Sequence, residues 1–135
     1  GVDKSLIQAG RLGSAQKLAS LTGAVAVLKG AGTIVAAPDG RLAVSGSGTP
    51  ALAVAGSGDV LSGIIGALLT RGIPPFDAAC AAVELHGLAG RAAAASLGEY
   101  SVAATDLVEL IPEAIRIASC GGHDRPGNPC EGPDA

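Results

Sequence analysis

Gly56-Ser57-Gly58-Asp59 stands where a stretch of small residues gives way to an apolar repeat with helical spacing. A loop that enters a helix leaves the first backbone N–H groups without intrahelical acceptors, and the helix dipole adds positive potential at the same point. Such a turn is suited to anions, phosphate above all. Glycine at positions 56 and 58 lets the backbone approach phosphate oxygens closely, and Asp59 sets a carboxylate beside the same pocket. The same residues also suit a plain helix cap and chain turn, because G-x-G spacing alone is weakly specific.

Other reactive side chains read differently. His86 lies in an Ala-rich helical pattern with only Glu84 nearby as a second ligand type, so structural hydrogen bonds are expected of it before a place in a cleft or at a metal. Cys120, His123 and Cys130 give three potential ligands in a Gly- and Pro-rich tail without a fourth, which falls short of a zinc site. Glu99, Glu109 and Glu113 read as solvated faces of helix or loop.

The elements that must position these residues follow from periodicity. Leu12, Ala15, Leu18 and Ala19 share one face of a helix predicted over Arg11 to Leu21, with Gly23 as its stop. Ala24 to Leu28 is a short apolar run without alternation, as in a strand covered on both faces within a parallel sheet. Thr33 to Val44 holds two β-prone runs around Pro38-Asp39-Gly40, which predicts a hairpin. Ser45 to Ser57 is too small and flexible for a regular element and reads as a loop. Val60, Leu61, Ile64, Ile65, Leu68 and Leu69 then form an apolar helical stripe that ends at Arg71-Gly72. A second long helix is predicted over Phe76 to Leu97, and a third from Thr105 as N-cap to about Ala118, with Asp106 in its first turn and Arg116 in its last. Gly121 to Ala135 is Gly, Pro and charge, and reads as a disordered tail.

Composition narrows the function classes. With 135 residues and 48% apolar content the chain can bury one core, built from small aliphatic side chains because it has one Phe, one Tyr, no Trp and no Met. Scarce aromatics and a net charge of -3 weigh against single-strand nucleic-acid binding, which uses stacking platforms in a basic groove. The best apolar run, Val60 to Leu69, is interrupted by Ser62, Gly63 and Gly66 and falls short of the roughly 20 residues that cross a bilayer. Neither a membrane nor a secretory leader is indicated, and three cysteines, an odd number, fit a reducing cytoplasm. A lone buried-type strand needs parallel neighbours that these residues do not supply, and the chain opens at Gly1 without Met, so further strands are expected upstream.

Longer matches sharpen the reading. Gly56-Ser57-Gly58-Asp59-Val60-Leu61-Ser62-Gly63-Ile64-Ile65 resembles the G-[ST]-G-D-V-L-[STA]-G-I-I signature of NAD(P)H-hydrate dehydratases. Leu28-Lys29-Gly30-Ala31-Gly32-Thr33 is similar to that family's L-K-G-A-x-T, His86-Gly87-Leu88-Ala89-Gly90 to its H-G-x-A-G, and Ala104 to Ile115 to its closing A-x-D-L and L-P-E segments. The resemblance covers about Leu12 to Ala118. It implies an α/β fold, with residues 1–120 the C-terminal part of a ribokinase-like three-layer αβα domain, incomplete on its own: a strand, a hairpin, then several helices.

It also implies an activity: ADP-dependent dehydration of (6S)-NADHX or (6S)-NADPHX, which repairs the cofactor and releases AMP and phosphate. Asp59 would bind the substrate and accept or orient its hydroxyl proton, while the backbone of Gly56, Ser57 and Gly58 would stabilise the transferring phosphoryl group. Lys29, Gly30, Ala31, Gly32, Thr33, Thr49 and Ala55 would complete the nucleotide site, with Lys29 reaching phosphate as a point charge. Magnesium would accompany the diphosphate without a protein ligand that can be named. Where members often read G-N-P-G-M, this chain has Gly48-Thr49-Pro50-Ala51-Leu52, so a Thr49 hydroxyl stands in for an asparagine contact. The resemblance further implies a cytoplasmic homotetramer. Two other readings share the same loop: a vitamin-precursor or sugar kinase of the superfamily, and an inactive nucleotide-binding or oligomerisation fragment.

Overall fold

The computed structural model describes residues 4–120, with side chains from residue 10 onward. Helix α1 (Lys4–Thr22) leads into strand β1 (Ala26–Leu28), then a hairpin of β2 (Thr33–Ala36) and β3 (Leu42–Ser45). Helices α2 (Ser57–Thr70), α3 (Pro75–Leu97), α4 (Ala104–Glu109) and α5 (Ile111–Cys120) follow. The three strands form one sheet in the order β1-β2-β3.

Alternation along the strands sorts the core into two faces. Ala26, Ile34 and Ala36 pack with Ala15 and Ala19 of α1, whereas Val35 packs with Leu61 of α2 and Ala79, Ala82 and Val83 of α3. Helices therefore cover both faces of the sheet, in the three-layer arrangement expected. The unbroken apolar character of β1 does reflect cover on both faces, but its partner here is antiparallel: Ala26 faces Ala36 and Leu28 faces Ile34. A covered sheet removes the need for polar alternation whatever the strand direction, so the run alone could not distinguish the two pairings.

Other boundaries moved for local reasons. Helix α1 begins well before Arg11 and runs through Gly10. The hairpin forms around Pro38-Asp39-Gly40, with the Arg41 N–H donating to Asp39 Oδ1 at 3.0 Å. The stretch from Ser45 to Ser57 is not wholly irregular, because Pro50–Leu52 makes one 3-10 turn with Thr49 as N-cap. The single helix predicted from Thr105 is two. Pro112, at the second position of α5, has no N–H to donate, and its ring would collide with the carbonyl four residues back, so the chain breaks at Leu110 and restarts. Ala103, not Thr105, is the N-cap of α4, and its N–H donates to the Asp106 carboxylate at 2.8 Å. Arg116 lies mid-helix rather than in the last turn and pairs with Glu113 at 2.6 Å. The tail expected to be disordered, residues 121–135, lies outside the described residues, and His123 and Cys130 with it. No described helix is long and apolar enough to cross a membrane.

Candidate active site

A cleft of about 430 Å³ opens at the end of β1, between the β1–β2 loop and the segment that precedes α2. Lys29, Gly30, Ala31, Gly32 and Thr33 form one wall, Gly46, Gly48, Thr49, Pro50, Leu52 and Ala53 the other, and His86 of α3 completes the lining. The volume is that of a small-molecule pocket. Six of the expected site residues thus meet around one cavity: Lys29, Gly30, Ala31, Gly32, Thr33 and Thr49.

The other five lie outside its lining, in the turn before α2 and its first residues. Gly56 has φ +83°, a left-handed conformation that L side chains rarely adopt, and a Cβ there would lie 3.0 Å from that of Ala104. This turn swings the chain from the exposed Ala55 into Ser57, the first residue of α2, whose N–H is directed at the Val54 carbonyl at 3.3 Å. Gly58 is half-buried, and Asp59 is exposed, its N–H bonded to the Gly56 carbonyl at 3.0 Å. None of the five lines the cleft itself, but Ser57 is joined to it: Lys29 Nζ donates to Ser57 Oγ at 3.1 Å. Thr49 Oγ1 accepts from the Ala51 N–H and donates to Glu99 Oε1, both at 3.4 Å.

Ser57 and His86 are buried together, with 1% and 3% of their surfaces exposed. His86 Nε2 lies 2.9 Å from the Ser57 carbonyl oxygen and 3.1 Å from Ser57 Oγ. The structural hydrogen bonds expected of His86 are present, and the same ring also faces the cleft, which its place in an Ala-rich helix did not foretell. Burial pushes the imidazole below its ordinary pKa and the Lys29 ammonium pushes it further, while the bond to Ser57 opposes both. Burial also lowers the pKa of Lys29.

Two further groups hold the walls in place. Arg11 of α1 donates to the carbonyls of Ala31 at 2.7 Å, Lys29 at 3.3 Å and Leu28 at 3.4 Å, which braces the loop that carries Lys29. Nothing in the sequence marks Arg11 for this, because backbone acceptors leave no side-chain signature. On the opposite wall, Ser47 Oγ donates to Glu84 Oε2 at 2.7 Å and meets Ser45 Oγ at 2.6 Å. Among the described residues no cluster of three or more His, Cys, Asp or Glu could hold a metal ion.

A glycine-lined cleft, a lysine on its wall and a helix start tied to that lysine are the groups of this α/β domain that are chemically suited to an anionic ligand. The family profile described as NAD(P)H-hydrate dehydratase matches residues 2–113. The ADP-dependent (S)-NAD(P)H-hydrate dehydratase of Neisseria meningitidis serogroup B is 46% identical over 123 residues, 85% of this chain and 42% of that protein. The bifunctional NAD(P)H-hydrate repair enzyme of Escherichia coli K12 is 44% identical over 115 residues, 85% of this chain and 22% of that one. Among solved structures, the Bacillus subtilis ADP/ATP-dependent NAD(P)H-hydrate dehydratase crystallised with ATP and Mg2+ superposes with a TM-score of 0.76 at 32% identity, over 82% of this chain and 40% of that one. The chain belongs to the NAD(P)H-hydrate dehydratase family. It spans less than half the length of each of these relatives.

Proposed function

We propose that residues 1–120 are the C-terminal half of a dehydratase domain and supply the nucleotide-phosphate side of a site that converts (6S)-NADHX or (6S)-NADPHX to NADH or NADPH, using ADP and releasing AMP and phosphate. The observation that carries this reading is the Lys29–Ser57 hydrogen bond of 3.1 Å, which joins the glycine-lined cleft to the first turn of α2. The Bacillus subtilis relative crystallised with ATP and Mg2+ supports a nucleotide as the ligand of this cleft.

The chemistry follows from the leaving group. Hydroxide departs poorly, so transfer of a phosphoryl group to the C6 hydroxyl converts it into a phosphate that leaves readily. Lys29 holds phosphate charge from the cleft wall, the β1–β2 loop and Thr49 flank the nucleotide, and the turn through Ala55, Gly56, Ser57 and Gly58 brings the Gly56 and Gly58 N–H groups to the transferring oxygens, the Ser57 N–H being directed at Val54. Asp59, exposed in the first turn, takes or orients the proton of the attacking hydroxyl. Magnesium, when bound, screens the diphosphate. The cytoplasm is the setting of this repair. A homotetramer is the assembly we propose, and the exposed apolar side chains of Leu18, Leu21, Val44 and Leu69 support burial against further protein.

The test uses the intact protein with (6S)-NADHX, ADP and magnesium, read as NADH absorbance. NADH recovery is expected; phosphorylation of a vitamin precursor or sugar with no NADH recovered would establish the kinase reading in its place. Asp59→Asn should leave ADP binding nearly unchanged and lower turnover by about 10²- to 10⁴-fold. Equal loss of both would make Asp59 a structural residue.

A further inference from the structure

The mechanism above leaves one buried titratable side chain of the cleft without a task. His86 is on the wall, 3% exposed, and among the described residues its hydrogen-bond contacts are both to Ser57. A carbonyl oxygen can only accept, so the 2.9 Å contact with Ser57 O puts the imidazole proton on Nε2. Ser57 Oγ, 3.1 Å from the same nitrogen, receives a second donor in Lys29 Nζ, also at 3.1 Å. Ser57 is the first residue of α2, and the orientation of its peptide sets where the Gly58 N–H and the Asp59 side chain face.

We propose that His86 is a positioning residue for nucleotide binding: by giving its Nε2–H to the Ser57 carbonyl and resting on the Ser57 hydroxyl, it holds the first turn of α2 in register with Lys29. The inference rests on the nucleotide reading of the cleft. His86 does not touch the reacting atoms in this arrangement; it acts through Ser57. Lys29, at the end of β1, is the charged group that acts on the ring, and from α2 the ring's hydrogen-bond partners are the Ser57 hydroxyl and carbonyl. A neutral imidazole suits this place, because an imidazolium would put a second cation beside Lys29 on one serine. The next residue of α3, Gly87, comes so close to Ser47 that a Cβ would lie 2.5 Å from its Oγ, so the opposite wall of the cleft is registered on the same turn of helix.

Two substitutions in the intact protein separate positioning from packing. His86→Gln keeps an amide N–H of similar reach, whereas His86→Leu keeps bulk and removes the donor. Nitrogen-15 NMR of the wild-type ring should show Nε2 protonated and Nδ1 bare; the opposite tautomer would overturn the inference before any variant is made. His86→Leu should raise KM for ADP and the Kd of Mg-ADP by about tenfold, the loss of one well-placed hydrogen bond, and lower kcat with them, because the turn it releases carries the Gly58 N–H and Asp59. His86→Gln should restore most of that affinity. Wild-type affinity in His86→Leu, or His86→Gln as impaired as His86→Leu, overturns the proposal. Should His86→Leu fail to fold, the affinity of His86→Gln decides, and a loss of tenfold or more in that variant counts against positioning. A wild-type protein that binds no Mg-ADP sinks the nucleotide reading itself and this inference with it.

Discussion

At the scale of single residues, the cleft couples protonation to stability through His86. Burial and the neighbouring Lys29 ammonium depress its folded-state pKa below the ordinary value of 6.5. Between the depressed pKa and 6.5 the unfolded chain binds more protons than the folded one, so stability rises with pH through that window and is lost as pH falls through it. The urea midpoint of the intact protein should therefore drop from pH 7 to pH 5, with a contribution from His86 of at most about 1.4 kcal/mol per pH unit. The same titration on His86→Gln should be flatter by that contribution, and equal slopes in the two proteins would show that other groups govern the acid side. Asp39 and Glu113 are both depressed by arginine partners, Arg41 and Arg116, but lie at the surface with 53% and 39% of their side chains exposed, where such pairs contribute little. This coupling was only half legible in the sequence. An alanine-rich helical pattern correctly announced a histidine with hydrogen bonds to make. That it would share one serine with Lys29 depends on contacts across 28 and 29 positions, and periodicity carries no information at that range.

At the scale of elements, α3 is the member on which the cleft is registered. Its buried residues are Ala78, Ala79, Ala82, Val83, His86, Gly87, Leu88, Ala89, Gly90 and Ala93, and at Gly87 and Gly90 the chain before α2 lies against its backbone. A Cβ at Gly87 would meet Ser47 Cβ at 2.7 Å and its carbonyl oxygen at 2.8 Å, and one at Gly90 would meet Leu52 Cδ2 at 2.6 Å. Gly87→Ala should therefore push the Ser47–Leu52 segment away, cost about 1–3 kcal/mol, and weaken ADP binding along with the thermal midpoint. Gly66→Ala in α2 is the control. Nothing lies within 4 Å of a Cβ there, so the gain in helix propensity should raise stability by up to about 1 kcal/mol. Calorimetric melting of the two variants checks both, and a stabilised Gly87→Ala would show that α3 and the loop are less closely fitted than these contacts indicate. Long stripes made α2 and α3 readable, and Pro38-Asp39-Gly40 made the hairpin readable, because each is a local signal. The break at Leu110 was also written locally, in Pro112, but the apolar repeat continues across it and conceals the interruption. The brace from Arg11 to three carbonyls had no such trace.

At the scale of the whole molecule, the layered arrangement explains how 135 residues without Trp or Met position a cleft. One sheet is covered by α1 on one face and by α2 and α3 on the other, and the cleft sits at its edge where β1 ends, so the walls are anchored in all three layers. On our proposal these residues provide the phosphate side: a lysine, glycine-lined backbone and a helix start. The family relatives are more than twice as long, with this chain matching 42% of the Neisseria meningitidis protein and 40% of the Bacillus subtilis one. We place the surface that selects the hydrated nicotinamide in the portion of those proteins that lies outside the match. Residues 1–135 alone should then bind Mg-ADP weakly and return little or no NADH from (6S)-NADHX. Aligning two reactants in one site accounts for a large share of an enzyme's rate, and a chain with only one half of the contacts forgoes it. Calorimetry with Mg-ADP and absorbance at the NADH band, run beside the Neisseria meningitidis enzyme, measure the two quantities separately. Binding without turnover is the expected result; turnover matching the longer enzyme would mean that the hydrated nicotinamide is selected by the cleft between Lys29, Thr49 and His86 itself.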